Sequence, residues 1–173
     1  MLFYTLPYLL FFLPITLVLF FYGKFLKIDR KIILILLSAF FYSWWNIYYL
    51  PLIIFSILMN YYFYKKITSD KSNRKKNLIF GITLNILLLI IFKYTDFIIQ
   101  NINLLLSTNF GYLNLPFPLA ISFFTFQSIT FLVNVYDEDI LDVKAKDFFL
   151  FIIFFPQLIA GPIVRYTHMM PQF

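Results

Sequence analysis

The chain has 173 residues, of which 62% are hydrophobic and only 13% charged, with a mean hydropathy of +0.84. Soluble domains carry about 25% charged residues, so an ordinary water-soluble globule is excluded and a membrane protein is expected. The net charge of +6 sits in short runs between apolar stretches, which argues against nucleic acid as a partner; zero cysteines and one histidine exclude disulfides, thiol catalysis and multi-histidine or cysteine-built metal sites.

Five charge-free runs organise the chain, at 2–22, 32–64, 77–92, 97–136 and 148–164. About 20 helical residues cross a bilayer core of roughly 30 Å, so the first run fits one crossing. It reads as an uncleaved helix rather than a signal peptide, because no basic residue precedes it and no small-x-small cleavage site follows. Pro7 and Pro14 are expected to bend it. The second run is too long for one crossing. Tyr42, Trp44, Trp45 and Asn46 fall near its centre and Pro51 follows, so two helices with an interfacial turn at about 44–50 are expected.

Charge supports that turn. Lys24, Lys27, Arg30 and Lys31 precede the run; Lys65, Lys66, Lys71, Arg74, Lys75 and Lys76 follow it. A hairpin puts both clusters on one side, the cytoplasmic one, and the N-terminus outside. The third run ends at Lys93 and Asp96, three residues apart and able to pair on one helical face. Residues 97–116 are too polar for a lipid-facing helix and read as an outer-side or amphipathic segment. Pro116 and Pro118 open the next run, where Ser122, Thr125, Gln127, Ser128, Thr130 and Asn134 serve either helix–helix contacts or a cavity wall. The loop at 137–147 falls on the cytoplasmic side by helix count, although five acids against Lys144 and Lys146 give it a charge of −3. In 148–164, Pro156 and the pair Gly161, Pro162 predict a broken or re-entrant helix. The fold class is therefore all-α, a polytopic helical membrane protein with about five to six membrane helices, short or broken ones included, in a single domain over 1–173.

No glycine-rich phosphate loop is present, and no carboxylate pair sits in an apolar run. His168 lies just beyond the Gly-Pro break with no orienting partner evident in the sequence, so no catalytic residue is assigned. On composition and spacing alone, the chemistry stays open.

Four ordered segments carry a resemblance. Leu36 to Asn46 (LLSAFFYSWWN), Phe92 to Phe97 (FKYTDF), Pro118 to Gln127 (PLAISFFTFQ) and Phe154 to Tyr166 (FFPQLIAGPIVRY) resemble, in order, elements of the membrane-bound O-acyltransferases, in the branch of the alginate O-acetylation membrane protein. The resemblance implies transfer of an acyl group, usually acetyl, from a cytoplasmic donor such as acetyl-CoA or an acyl carrier to a hydroxyl of an extracytoplasmic polysaccharide or peptidoglycan. It also implies a bacterial inner-membrane, multi-pass location, the lipid bilayer as surroundings, and an extracytoplasmic acyl-transfer protein as partner. No bound cofactor or metal is implied. Ser122, Thr125, Gln127, Gln157 and Arg165 are expected to line or brace the family's polar tunnel. The family's essential histidine lies in a Trp-His-Gly-type segment that nothing here matches. The chain is thus expected to be the N-terminal part of such an enzyme, inactive alone. A non-catalytic transporter or assembly subunit of cell-envelope modification is the alternative.

Overall fold

The computed structural model describes residues 4–23, 28–115, 118–138, 140, 142–162 and 164–173; Lys24, Lys27, Pro116, Asp139 and Ile163, named above, lie outside the described residues. Every regular element described is helical, as the sequence predicts.

The first helix has its irregularity where the prolines predict one. A wide π turn spans Tyr8–Phe12, and α1 follows over Leu13–Tyr22. The Leu13 N–H bonds back five residues to the Tyr8 carbonyl. That widened turn ends just before Pro14, whose ring clashes with an ordinary α turn and whose nitrogen donates nothing.

α2 (Arg30–Asn46) starts at Asp29, whose carboxylate accepts the Lys31 N–H at 3.0 Å. It stops at Asn46, which turns to extended backbone (φ −162°, ψ 112°) and accepts the Tyr48 N–H on its side-chain oxygen. A 3-10 turn, Ile47–Tyr49, leads into α3 (Leu50–Ser69), with Pro51 in the first turn where its missing N–H costs nothing. The interfacial turn is therefore present. The two helices form a hairpin, because the start of α2 and the end of α3 meet one loop: Lys31 Nζ reaches Asp147 at 2.8 Å, and the Val143 N–H donates to the Tyr64 hydroxyl at 2.9 Å.

α4 (Arg74–Leu89) runs back against α3. Two features set that approach. Gly81 admits α3 and the later helix that carries Leu132 closely, since a Cβ there would lie 2.9 Å from Leu132 Cδ1 and 3.2 Å from Phe63 Cγ. One helical turn on, Asn85 and Asn60 of α3 exchange amide hydrogen bonds at 2.7 and 3.1 Å, both fully buried. Each also donates to a carbonyl four residues back, Asn60 to Ser56 and Asn85 to Gly81, both at 2.8 Å.

A second π turn, Ile90–Tyr94, links α4 to α5 (Thr95–Leu106). The Thr95 hydroxyl donates to the Ile91 carbonyl at 2.7 Å, satisfying a group that the wide turn frees. The expected Lys93–Asp96 ion pair is not formed. The π turn changes the angular spacing that an i, i+3 pair requires. Lys93 Nζ donates instead to Ser122 Oγ at 3.1 Å, and Asp96 accepts the N–H groups of Leu113 and Asn114 at 2.8 and 3.0 Å. Those bonds fold the 107–115 segment back along α5, which buries no residue.

α6 (Ile121–Tyr136) fills the space between α3 and α4. Its Phe124, Phe131 and Leu132 join Ile53, Ile57 and Phe148 in the fully buried core. Arg74 closes its C-terminus: Nη2 donates to the Tyr136 carbonyl at 2.7 Å, and the guanidinium lies 5.4 Å from the Tyr136 ring.

All three ion pairs among the described residues lie at one end, joining the basic clusters to the acidic loop. They are Arg74–Glu138, Lys31–Asp147 and Lys146–Asp29. This explains how a loop of negative charge sits beside the basic clusters: its Asp147 and Glu138 pair with Lys31 and Arg74, and its Lys146 pairs with Asp29. The Lys146 ammonium foremost, and the Lys31 N–H after it, hold the Asp29 carboxyl below its ordinary range. A depressed carboxyl stabilises the fold above the unfolded value of about 3.9, and that contribution disappears as pH falls through the lower folded value. Thermal melts in detergent are thus expected to show stability falling below about pH 4. Asp29→Asn is expected to lower stability at pH 7 and to flatten that acid limb; an unchanged acid limb would disprove the linkage.

Candidate functional site

The Phe154–Tyr166 segment, singled out by its prolines and glycine, enters the bundle from the charged end. α7 (Ala145–Ile153) packs beside α2, α3 and α6, but its nine residues rise only about 14 Å. The backbone breaks at Phe154 (φ −54°, ψ 108°), two residues before Pro156, and α8 (Phe155–Ala160) follows. Gly161 is extended, and its N–H bonds to the Gln157 carbonyl at 3.0 Å. A Cβ on Gly161 would sit 2.8 Å from Gln157 Cα, so only glycine fits this close return. The chain then doubles back: the Tyr166 ring, at the start of α9 (Tyr166–Met169), packs on Phe131 and Phe151 with centroids 5.5 and 5.3 Å away. The predicted broken helix is thus interrupted at Phe154 and again at Gly161, after which the chain turns back beside α7 and ends with the Phe173 ring 5.2 Å from that of Phe154.

Breaking a helix inside an apolar bundle frees backbone groups that must find partners. Phe155 would ordinarily donate to the Phe151 carbonyl. Here the Phe155 N–H donates to Ser38 Oγ of α2 at 3.2 Å, and the Phe151 carbonyl accepts from Gln127 Nε2 of α6 at 3.0 Å. Ser38 is fully buried and Gln127 is 1% exposed. Two side chains from two helices therefore replace one broken backbone bond. Ser38, Gln127 and Phe155 come from the first, third and fourth of the motifs.

The five residues expected to line or brace a tunnel fall in several places. Gln127 sits at the break. Thr125, also on α6, is buried, and its hydroxyl has no hydrogen-bond partner among the described residues; the same holds for Gln127 Oε1 and for the Ser128 hydroxyl. Gln157 lies on α8, with Nε2 donating to the Pro162 carbonyl at 3.3 Å and Oε1 unpartnered. Ser122 lies apart, at the end away from the three ion pairs, beside Lys93. Arg165 is exposed on the returning segment. The sequence reading did not single out Ser38 as a bracing residue, nor the Asn60–Asn85 pair. The signal for Ser38 was its place in the first motif; a lone asparagine in an apolar run gives none. His168 is exposed on α9, and its carbonyl accepts from Gln172 Nε2 at 2.9 Å. Among the described residues, no three His, Asp or Glu side chains are grouped to hold a metal ion.

A helical membrane protein whose apolar bundle encloses a broken helix, braced by buried polar side chains, is the class that this geometry defines. Curated proteins with similar sequences carry names of one activity. The chain is 41% identical over 135 residues to the peptidoglycan O-acetyltransferase of Helicobacter pylori, a match covering 62% of this chain and 26% of that protein. It is 35% identical over 102 residues to the probable alginate O-acetylase AlgI of Pseudomonas aeruginosa, covering 56% of this chain and 19% of that protein. Identity to the protein of the same name in Azotobacter vinelandii is 33% over 102 residues, covering 56% and 20%. The resemblance drawn from the four motifs is borne out by these names. The chain spans about a quarter or less of the length of these relatives. No family model matches it, and no solved structure does.

Proposed function

We propose that this chain is part of a membrane O-acyltransferase that moves an acyl group, acetyl by analogy with its relatives, to a hydroxyl of an extracytoplasmic polysaccharide or cell-wall polymer. The identity to proteins named as O-acetyltransferases carries this reading. The same identity disfavours a non-catalytic transporter or assembly subunit. Acetyl-CoA or an acyl carrier is the proposed donor, and an extracytoplasmic acyl-transfer protein the proposed partner. The braced break is the proposed wall of the path along which the acyl group moves. Within it, Gln127 braces, while Thr125, Gln157 and Arg165 line or steady the passage and Ser122 faces its outer end. The reacting base is expected from a Trp-His-Gly-type segment, which residues 1–173 do not contain. Deleting the gene in its own cell and measuring O-acetyl esters of the envelope polymers by mass spectrometry tests this reading. Loss of esters, restored by complementation, is the expected result; unchanged esters on every polymer would refute it.

The proposed setting is the bacterial inner membrane, spanned several times, with the charged end in the cytoplasm and the N-terminus outside. The absence of native cysteine makes a labelling test clean. Ser107→Cys is expected to react with a membrane-impermeant maleimide in intact spheroplasts, and Lys144→Cys only after permeabilisation. Equal labelling of both without permeabilisation would remove a crossing.

A further inference from the structure

The cations of the charged end divide by what they face. Lys31, Arg74 and Lys146 pair with Asp147, Glu138 and Asp29. Lys65 stands 5.1 Å from the Tyr61 ring, whose hydroxyl donates to the Val143 carbonyl, so it lies on the side of the acidic loop. Lys66, Lys75 and Lys76 are exposed and form no ion pair among the described residues. They gather where α4 begins beside the end of α3, since Asn77 Nδ2 donates to the Lys66 carbonyl at 3.4 Å. Asp70 is the one acid between positions 65 and 76. Its two oxygens accept from the Asn73 backbone N–H and side-chain amide at 3.1 and 3.0 Å, and Lys66 acts on it through space rather than by contact.

The surface below these three lysines is apolar and faces outward. On α4, helical spacing puts Lys75 and Lys76 on the face opposite the buried Gly81 and Asn85. The same face continues through Ile79, Phe80, Ile86 and Leu87, which are 44–62% exposed. On α3, the Lys66 ammonium lies 5.7 Å from the Tyr62 ring, and Tyr62 and Phe55 carry that exposed stripe onward. Both helices belong to runs long and apolar enough to cross a membrane. Lysine stems lie along apolar surface and carry their ammonium to its edge, so the three charges rim an apolar wall. A bilayer leaflet with anionic headgroups matches such a wall at both levels. An acidic protein arriving from water meets the ammoniums alone and leaves the apolar wall uncovered.

We propose that Lys66, Lys75 and Lys76 form a headgroup site for anionic phospholipid on the lipid-facing side of the α3–α4 hairpin. The phosphate lies among the three ammoniums, and the acyl chains run along Tyr62, Ile79 and Phe80. The inference rests on the membrane-spanning fold and is independent of the acyl-transfer reading.

The chain has two tryptophans, Trp44 and Trp45, so a local fluorescent reporter can be placed. Trp44→Phe and Trp45→Phe combined with Phe80→Trp puts the single indole one helical turn from Lys76. Trp45→Phe alone leaves Trp44, near the α2–α3 turn, as a distant control. Both proteins are reconstituted in mixed bilayers, and quenching by brominated phosphatidylglycerol is compared with quenching by brominated phosphatidylcholine. At low salt the Phe80→Trp reporter is expected to prefer phosphatidylglycerol about fivefold, the effect of one lysine beside an anionic headgroup, and Trp44 to show no preference. High salt reduces the preference. Lys66→Gln, Lys75→Gln and Lys76→Gln together abolish it, and arginine at the same three positions retains it, with unchanged circular dichroism showing that the variants fold. No preference at the Phe80→Trp reporter overturns the site, as does a preference that survives the three glutamines. Weak quenching by both lipids shows that protein covers this face, and it too overturns the proposal.

Discussion

Asn60→Leu is expected to destabilise the α3–α4 pair, and adding Asn85→Leu is expected to recover most of the loss. The two amides bond reciprocally in a fully buried site. Leucine keeps asparagine's branching at Cγ but is the larger side chain, so the single change removes polarity without opening a cavity and adds some overpacking. It leaves the Asn85 oxygen without its donor and one of its N–H groups without its acceptor. Stranding buried polar groups costs about 1–3 kcal/mol, whereas polar pairs between membrane helices contribute only about 0.6–2 kcal/mol net. The stranded amide, rather than the lost pair, therefore dominates the single variant. Melting of the purified protein in detergent measures all three forms. A double variant less stable than the single one would show that the amides hold a unique register that leucines cannot.

The second large effect falls on activity. On the proposed acyl-transfer reading, Gln127→Met keeps the side-chain length and removes the donor to the Phe151 carbonyl. Ser38→Ala removes the acceptor of the Phe155 N–H. Each frees one side of the helix break, and small displacements of positioning groups cost on the order of a hundredfold in rate. Acetyl transfer is expected to fall by roughly 10–100-fold in Gln127→Met, less in Ser38→Ala because alanine leaves α2 packed. Hydrogen exchange at Phe155 separates bracing from general damage: it should quicken in both variants while core amides around Ile53 and Ile57 stay protected. Full activity with unchanged exchange would end the bracing role.

Much of this architecture could be read before any coordinates. Charge-free runs set the helices, Asn46 and Pro51 marked the hairpin turn, and Pro156 with Gly161 and Pro162 marked the broken one. These are local signals, carried by residues that cannot continue a helix. The misses are non-local. Lys93 and Asp96 have the spacing of an ion pair on an α-helix, but the π turn at Ile90–Tyr94 alters the angle between them. Asn60 finds Asn85 across 25 residues, and Phe155 finds Ser38 across 117. No periodicity encodes such partners; they follow from which helices the bundle brings together. At the break, the sequence located the disturbance at Pro156 and pointed to Gln127 through the family resemblance, but it missed Ser38, which looks like an ordinary polar residue of an apolar helix.

The length of α6 has a consequence for the segments on either side of it. Its sixteen residues, Ile121–Tyr136, rise about 24 Å, less than the roughly 30 Å hydrocarbon thickness of a typical bilayer. Because α6 packs between α3 and α4 and buries nine of its sixteen residues, its shortness is met by protein rather than by lipid: the segments that enter and leave it must fill the depth it does not reach.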